Sequence, residues 1–223
     1  MSKYTKLVAL FVIGIVPFEL NGIWNPLLSN NLNSYWIVEL ISWLILPTCM
    51  YLIGNNLGLF NNKEIGFHSN IFDKHYNVIL LFIITAIVSP FLYLCYINFD
   101  RLALTVFPTN WGVVSFDYPN MIPEKGIGKL LVALYFALTA GFVEEFYYRG
   151  MLYKIINRGR ESTVYYILIS SIIFSSVHWE GGVRKLLATF LFGIVCASIY
   201  RFLKNLWPLA IGHTLTVYIL YMR

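Results

Sequence analysis

Charged residues are scarce in this chain, and their scarcity excludes an ordinary soluble domain. Only 12% of the 223 residues are charged, while 58% are hydrophobic. A soluble domain has about 25% charged and about 45–50% apolar residues. So few charges cannot cover a surface that faces water, and we therefore expect one membrane domain. The net charge of +5 does not indicate nucleic-acid binding, because the lysines and arginines are scattered without a basic stripe.

Two other absences limit which folds and which kinds of site are possible. The three cysteines, Cys49, Cys95 and Cys196, lie in apolar stretches at no spacing that is typical of metal or redox sites. The apolar runs do not alternate with polar residues, which excludes a transmembrane β-barrel.

Seven apolar segments are present, and a spanning helix needs about 20 such residues. They cover residues 6–24, 35–54, 76–99, 129–156, 163–179, 184–203 and 207–222. They predict an all-α fold, a polytopic transmembrane bundle of about seven helices. Residues 1–128 would supply the N-terminal helices and loops, and residues 129–223 a second group of helices within the same membrane domain.

The fourth apolar segment contains three charged residues in the stretch GFVEEFYYRG, residues 141–150. Each of Glu144, Glu145 and Arg149 would cost roughly 2.5–3.5 kcal/mol near the bilayer centre, so they need a reason to be there. Residues four apart share one face of an α-helix, which predicts an ion pair between Glu145 and Arg149. Glu144 points elsewhere and has no partner on its own helix. It is therefore placed for general acid–base chemistry, the alternative being an inert buried network.

The face that carries Glu145 continues backwards as Gly141, Ala137 and Ala133. Small residues at every fourth position allow another helix to approach closely, so we expect the ion pair to lie inside the bundle. Glu19 and Glu39 are single carboxylates near segment ends, and we expect both at the membrane interface.

Two of the four histidines, His178 and His213, lie in apolar runs. Either of them alone is as consistent with helix packing as with a function. Both fall within the expected depth of the hydrocarbon, as Glu144 does. The three side chains together indicate a polar site inside the membrane.

These residues stand in motifs that resemble the CAAX protease and bacteriocin-processing (CPBP, or Abi) family of intramembrane proteases. EEFYYRG fits the E-E-x-x-x-R motif of that family, and FSSVH, residues 174–178, fits its F-x-x-x-H motif. FGIVCASIY, residues 192–200, and LWPLAIGH, residues 206–213, are similar to the helix that follows and to the approach to the last histidine. The resemblance covers residues 129–223 and implies that they form the catalytic core.

The resemblance implies a role for each matching residue. Glu144 would activate a water molecule, and Glu145 with Arg149 would support the site. His178 and His213 would polarise the scissile carbonyl, stabilise the oxyanion or hold the water. The implied activity is endopeptidase cleavage of a membrane-associated protein or peptide in contact with membrane lipids. Relatives process prenylated CAAX tails, bacteriocins or signal peptides, or confer immunity, and we expect a multi-pass protein of a prokaryotic plasma membrane.

One position departs from the family pattern. The family has Asn or Asp four residues after the last histidine, where this chain has Val217. An oxyanion donor is often worth about 10²–10³ in rate. Thr216 or Asn205 could substitute for it. The alternative is a weak or inactive member that acts as a bacteriocin-immunity or regulatory membrane protein.

Two further questions stay open at the level of sequence. His178, His213 and a glutamate could bind Zn²⁺, although no H-E-x-x-H motif is present. With Glu145 held by Arg149, the zinc route would leave no obvious base, so we favour a metal-free route. A proton-coupled transporter would also use membrane-buried Glu and His, but such folds repeat their halves, and this polar cluster lies only in the second half.

Overall fold

The computed structural model describes residues 1–69, 78–114, 116, 118–157 and 163–223. Its α-helices are α1 (Lys3–Glu19), α2 (Asn21–Leu28), α3 (Leu32–Leu40), α4 (Leu46–Asn56), α5 (Asn62–Ile65), α6 (Val78–Val106), α7 (Gly126–Leu138), α8 (Leu152–Ile156), α9 (Thr163–Ser176), α10 (Gly182–Leu203) and α11 (Trp207–Met222). Two π-helical segments, π1 (Ile41–Ile45) and π2 (Thr139–Met151), join α3 to α4 and α7 to α8. A short 3₁₀ helix covers Tyr118–Met121.

The predicted all-α membrane bundle is confirmed. Each of the seven apolar segments is mainly helical where the structure describes it, with turns at Leu20 and at residues 177–179, and the described residues contain no strand. The first two residues of the third segment, 76 and 77, lie outside the described residues. Its helix α6 exposes large apolar side chains, such as Phe82 with 73% of its surface accessible, and this suits contact with lipid.

Fewer than seven of the helices are long enough to cross a membrane. Within the described residues, four are long and apolar enough: Leu32–Asn56, Val78–Val106, Gly126–Ile156 and Gly182–Leu203. α1 and α2 meet at a bend of 44° and would together make a fifth. α9 has 14 residues and α11 has 16. α11 packs against α6, α7 and π2, so protein contacts rather than lipid surround much of it.

Two glycines hold α11 in the centre of the bundle. Gly212 lies against α6, where an added Cβ would be 2.9 Å from Leu92 and 3.1 Å from the Cα of Ser89. Gly141 in π2 lies against the other side of α11, where an added Cβ would be 2.5 Å from the backbone oxygen of Ala210. Ala133 and Ala137 are fully buried on the same face. The small-residue face predicted from sequence is therefore the contact surface for α11, as close helix packing in membranes requires.

Replacing Gly141 with alanine should lower the free energy of unfolding by about 1–3 kcal/mol, because the new methyl group would overlap α11. Gly128→Ala in α7 is the matched control, since its nearest neighbour, the ring of Pro123, is 3.3 Å away. We expect that control to be neutral or slightly stabilising, as alanine favours helix. Denaturant unfolding of both purified variants in bicelles measures the difference, and equal stabilities would contradict the packing described here.

Candidate active site

The charged stretch lies in π2, where every residue from Glu144 to Met151 is buried. π-Helical segments are rare and occur frequently at functional sites. The predicted ion pair is present: Arg149 Nε lies 3.3 Å from Glu145 Oε2, and both side chains have no accessible surface. A π-helix has more residues per turn than an α-helix, so neighbouring side chains diverge by a smaller angle. This is how Glu144 and Glu145 can both approach the same residue on α11.

That residue is His213, which lies between the two glutamates. Its Nδ1 is 2.9 Å from Glu145 Oε1, and its Nε2 is 3.7 Å from Glu144 Oε2. A carboxylate only accepts hydrogen bonds, so Nδ1 of His213 carries the proton and donates it to Glu145. Glu145 therefore holds Arg149 and His213 at once, while the Nε2 atom of His213 is directed to Glu144.

His178 reaches the site from the turn that follows α9. Its Nδ1 lies 3.0 Å from the backbone oxygen of Phe174, one helical turn earlier. The carbonyl can only accept, so Nδ1 donates and Nε2 is the atom available for chemistry. In the described part of the chain, His178 makes no ion pair with either glutamate. It shares a cavity wall with Glu144 and His213 instead.

Phe174, the first residue of the FSSVH motif, connects these groups. The guanidinium carbon of Arg149 lies 4.2 Å from the centre of its ring, within range of a cation–π interaction. The same ring contacts His178 edge-on at 5.1 Å and His213 at 6.1 Å between ring centres. Phe174 thus packs against three of the polar residues and fixes their spacing.

The polar residues border a cavity of about 450 Å³. Glu144, His178 and His213 line it, whereas Glu145 and Arg149 do not. The cavity lies between helices of both halves of the chain, and residues 116 and 118 of the segment after α6 also line it. A substrate in the cavity could reach Glu144 and the two histidines, while Glu145 and Arg149 stay behind them.

The position of the missing family Asn is also on this wall. Val217 lines the cavity and cannot donate a hydrogen bond. Thr216 lines it too, but its hydroxyl donates to the backbone oxygen of Gly212 at 2.8 Å, a common use of threonine in helices. Asn205 is not among the lining residues and donates to the backbone oxygen of His68. Neither expected substitute has its donor in the cavity.

A tyrosine that the sequence did not single out offers a donor instead. The hydroxyl oxygen of Tyr118 accepts hydrogen bonds from Asn25 at 2.6 Å and from Asn21 at 3.3 Å, and Tyr118 lines the cavity. Both lone pairs are then used, so the O–H is left to donate. Burial, and then the charges of Glu39 and Glu180, hold the pKa of Tyr118 well above its ordinary value, so the phenol stays protonated.

The two outlying glutamates, which we expect at the membrane interface, are both enclosed at least in part by other helices. Glu39 has 3% of its surface exposed and lines the cavity, because it lies with Tyr35 on the buried face of α3, whose other faces are largely exposed. Glu19 is half-buried and accepts a hydrogen bond from the Ser176 hydroxyl at 2.9 Å. The sequence contained no signal for either contact, since both are made between helices distant in the chain.

The residues present do not fit a zinc centre. Within the described ranges, no three His, Cys, Asp or Glu side chains stand close enough to hold a metal ion. The Nδ1 atoms of His178 and His213 donate to Phe174 and Glu145, which leaves their Nε2 atoms as the only possible ligands, and no third ligand side chain in the described ranges stands with them. No chemical step below is therefore assigned to a metal.

A comparison with known protein families gives a match over the second half of the chain. Residues 126–219 match the family model described as type II CAAX prenyl endopeptidase Rce1-like. The matched range contains all five polar residues of the site, and it confirms the resemblance to CAAX proteases. Neither the comparison with curated proteins nor that with solved structures gave a match.

Removing Arg149 should destabilise the protein strongly, because the Glu145 charge would remain buried without its cation. Breaking one partner of a buried pair costs roughly 3–5 kcal/mol. We expect Arg149→Leu to lower the free energy of unfolding by about that amount, and Glu145→Gln in the same chain to restore part of it.

The matched control for this experiment is Lys154→Leu, which breaks the 2.5 Å pair with Glu64 at the surface. Exposed pairs contribute about 0–1 kcal/mol. Unfolding of the three variants in bicelles provides the comparison. Similar small losses for Arg149→Leu and Lys154→Leu would show that the Glu145–Arg149 pair has no special structural role.

Proposed function

We propose that the chain is an intramembrane endopeptidase, because residues 126–219 of this integral membrane protein match the Rce1-like family model. Its substrate would be a membrane-associated protein or peptide, and its membrane a prokaryotic plasma membrane. The observation that supports this most is the order of contacts at the cavity wall. Glu144 faces the cavity and contacts His213, and His213 is held from behind by Glu145 and Arg149.

Glu144 is the proposed general base. In our mechanism its carboxylate takes a proton from a water molecule as the water oxygen attacks the scissile carbonyl carbon. The peptide C–N bond then breaks, and Glu144 returns the proton to the leaving amine nitrogen. The products are a new carboxylate terminus and a new amino terminus. The cavity supplies space for both water and an extended peptide within the bundle.

His213 and His178 take different parts in this mechanism. With His213 protonated, Glu144, Glu145, Arg149 and His213 carry two negative and two positive charges, so the buried group is neutral. Nε2–H of His213 then donates to the developing oxyanion. Neutral His178 has its proton on Nδ1, so its Nε2 accepts a hydrogen bond from the attacking water and orients it.

Tyr118 is our candidate for the donor that Val217 lacks. Its O–H is free to donate, and the Asn21 and Asn25 amides fix the position of the phenol oxygen. Fixed donors stabilise an oxyanion well, because they need no reorganisation during the reaction.

A non-catalytic role is the second candidate, and Val217 on the cavity wall is the observation that favours it. In that case the chain would act by binding, as an immunity or regulatory membrane protein does. Its cellular effect would then survive the loss of the Glu144 carboxylate.

Glu144→Gln should abolish proteolysis, because an amide of the same size cannot take the proton of water. General acid–base catalysis contributes typically about 10²–10⁴ in rate. The measurement compares peptide termini in membranes and medium of cells that carry wild type or the variant at equal abundance. Glu19→Gln, outside the cavity wall, is the control and should keep cleavage. Cells that lack the protein are compared in the same way. If their peptide termini are the same as those of wild-type cells, the non-catalytic role is favoured.

Tyr118→Phe should lower kcat by about 10²-fold and leave KM nearly unchanged, because the donor acts mainly on the transition state. The assay uses the peptide identified by the terminus comparison. Tyr147→Phe is the matched control, since it removes another buried hydroxyl that makes no hydrogen bond within the described residues and does not line the cavity. Equal activity of the two variants would remove Tyr118 from the mechanism.

A further inference from the structure

The cavity contains hydrogen-bond acceptors that the proposed hydrolysis does not use. They come from Asn21 on α2, Glu39 on α3 and Glu180 in the turn between α9 and α10. All three residues are more than nine-tenths buried, with exposed fractions of 3%, 3% and 8%. Buried polar groups are normally satisfied, so each unsatisfied one needs an explanation.

The Asn21 amide shows most clearly what is missing. Its Nδ2 lies 3.3 Å from the backbone oxygen of Val177, which can only accept, so the orientation of the amide is determined. Its Oδ1 is buried and has no hydrogen-bond donor within the described residues. The amide therefore presents an acceptor, and its natural complement is an N–H or O–H group.

Glu180 presents a second unused acceptor close to the reacting centre. Its Oε2 is buried and has no donor within the described part of the chain. Hydrogen bonds fix the backbone around Glu180. The backbone oxygen of Glu180 accepts from the backbone N–H of Val114 at 2.8 Å, and the Asn110 side chain donates to the backbone oxygen of Gly181 at 3.1 Å. Glu180 is only two residues beyond His178, so this acceptor lies beside the proposed catalytic wall.

Glu39 on α3 is the third acceptor residue that lines the cavity. Its carboxyl group forms no ion pair within the described residues, although it is almost fully buried. Glu39 and Glu180 line the same cavity as Tyr118, and the charges of both raise the pKa of its phenol. Asn21 binds that phenol directly, so all three acceptor residues border the cavity that Tyr118 lines.

The charge of the cavity favours a cation. Among the described residues, four carboxyl groups line it, from Glu39, Asp100, Glu144 and Glu180, against two cations, Lys185 and the protonated His213 of the proposed mechanism. The ammonium group of Lys185 is already bound to the Tyr96 hydroxyl at 2.5 Å. A buried carboxylate without a cation is costly, so an incoming cation with several N–H donors would be bound strongly.

We propose that Asn21, Glu39 and Glu180 form a subsite for the cationic side chain of a lysine or arginine of the substrate, next to the scissile bond. The position relative to that bond rests on the proposed endopeptidase function, whereas the recognition of a cation does not. An ammonium or guanidinium group satisfies all three acceptors at once, and a neutral or acidic side chain leaves them unpaired.

A binding experiment tests the subsite without any cleavage. The full-length Glu144→Gln protein is purified in detergent and titrated with N-acetyl-arginine amide or N-acetyl-citrulline amide. Citrulline has nearly the same shape as arginine but no charge. Ligand binding raises the melting temperature by mass action. We expect the arginine probe to raise it at concentrations where the citrulline probe does not.

Variants then locate the bound probe. Glu180→Gln and Glu39→Gln, each added to Glu144→Gln, should weaken the arginine probe at least about tenfold, as expected for the loss of one charge-assisted hydrogen bond. Glu124→Gln, an exposed loop position, is the control and should leave binding unchanged. An unaltered melting temperature without probe confirms that each variant is folded. Equal effects of arginine and citrulline, or equal binding by all variants, would overturn the subsite.

A second readout uses the active protein and separates this proposal from the proposed function. If cleavage occurs, the cut sites found by terminus comparison should carry Lys or Arg within a few residues, and Glu180→Lys should deplete them. Cuts with no basic residue nearby would overturn the subsite while leaving proteolysis intact. Binding of the arginine probe without any cleavage would support the subsite and overturn the proposed proteolysis.

Discussion

The Glu145 carboxylate is the group on which the rest of the site depends. It has no contact with solvent, yet it binds Arg149 of its own helix and His213 of α11 through its two oxygens. A lone buried carboxylate would be costly in a membrane, and two cationic or donor partners offset that cost. The same two contacts fix the tautomer of His213 and its distance from Glu144. The carboxylate that forms the structural ion pair therefore also orients the proposed catalytic groups.

This arrangement requires close approach of backbones, which small residues permit. Gly141 and Gly212 let π2 and α6 pack on opposite sides of α11 with almost no side chain between them. The wider turn of π2 brings two successive glutamates toward that helix, which an α-helix would have separated by about 100°. Phe174 fills the remaining space and contacts Arg149 and both histidines. Close helix packing therefore brings the charged groups of the site into contact.

The cavity explains why polar chemistry can be placed inside a bundle whose outer surface suits lipid. Its wall divides residues that could meet a substrate from those that support them, and it includes groups from helices of both halves of the chain. The Rce1-like match begins only at residue 126, after these N-terminal residues. Asn21, Asn25 and Glu39 thus belong to the part of the chain that the family model does not cover, where features particular to this protein are expected.

Much of this could be predicted from the sequence because the controlling interactions are local. Apolar runs of spanning length determine helices in lipid, and the spacing of four between Glu145 and Arg149 determines a pair on one helix. The order of the motifs around Glu144, His178 and His213 indicated the family. Only the tertiary structure could decide which partners come from distant helices. It gave Glu145 a second partner, bound the Thr216 hydroxyl to its own helix, buried Glu39 in the cavity, and placed Tyr118 between two amides. Such contacts depend on how helices pack and bend, and no local pattern in the chain encodes them.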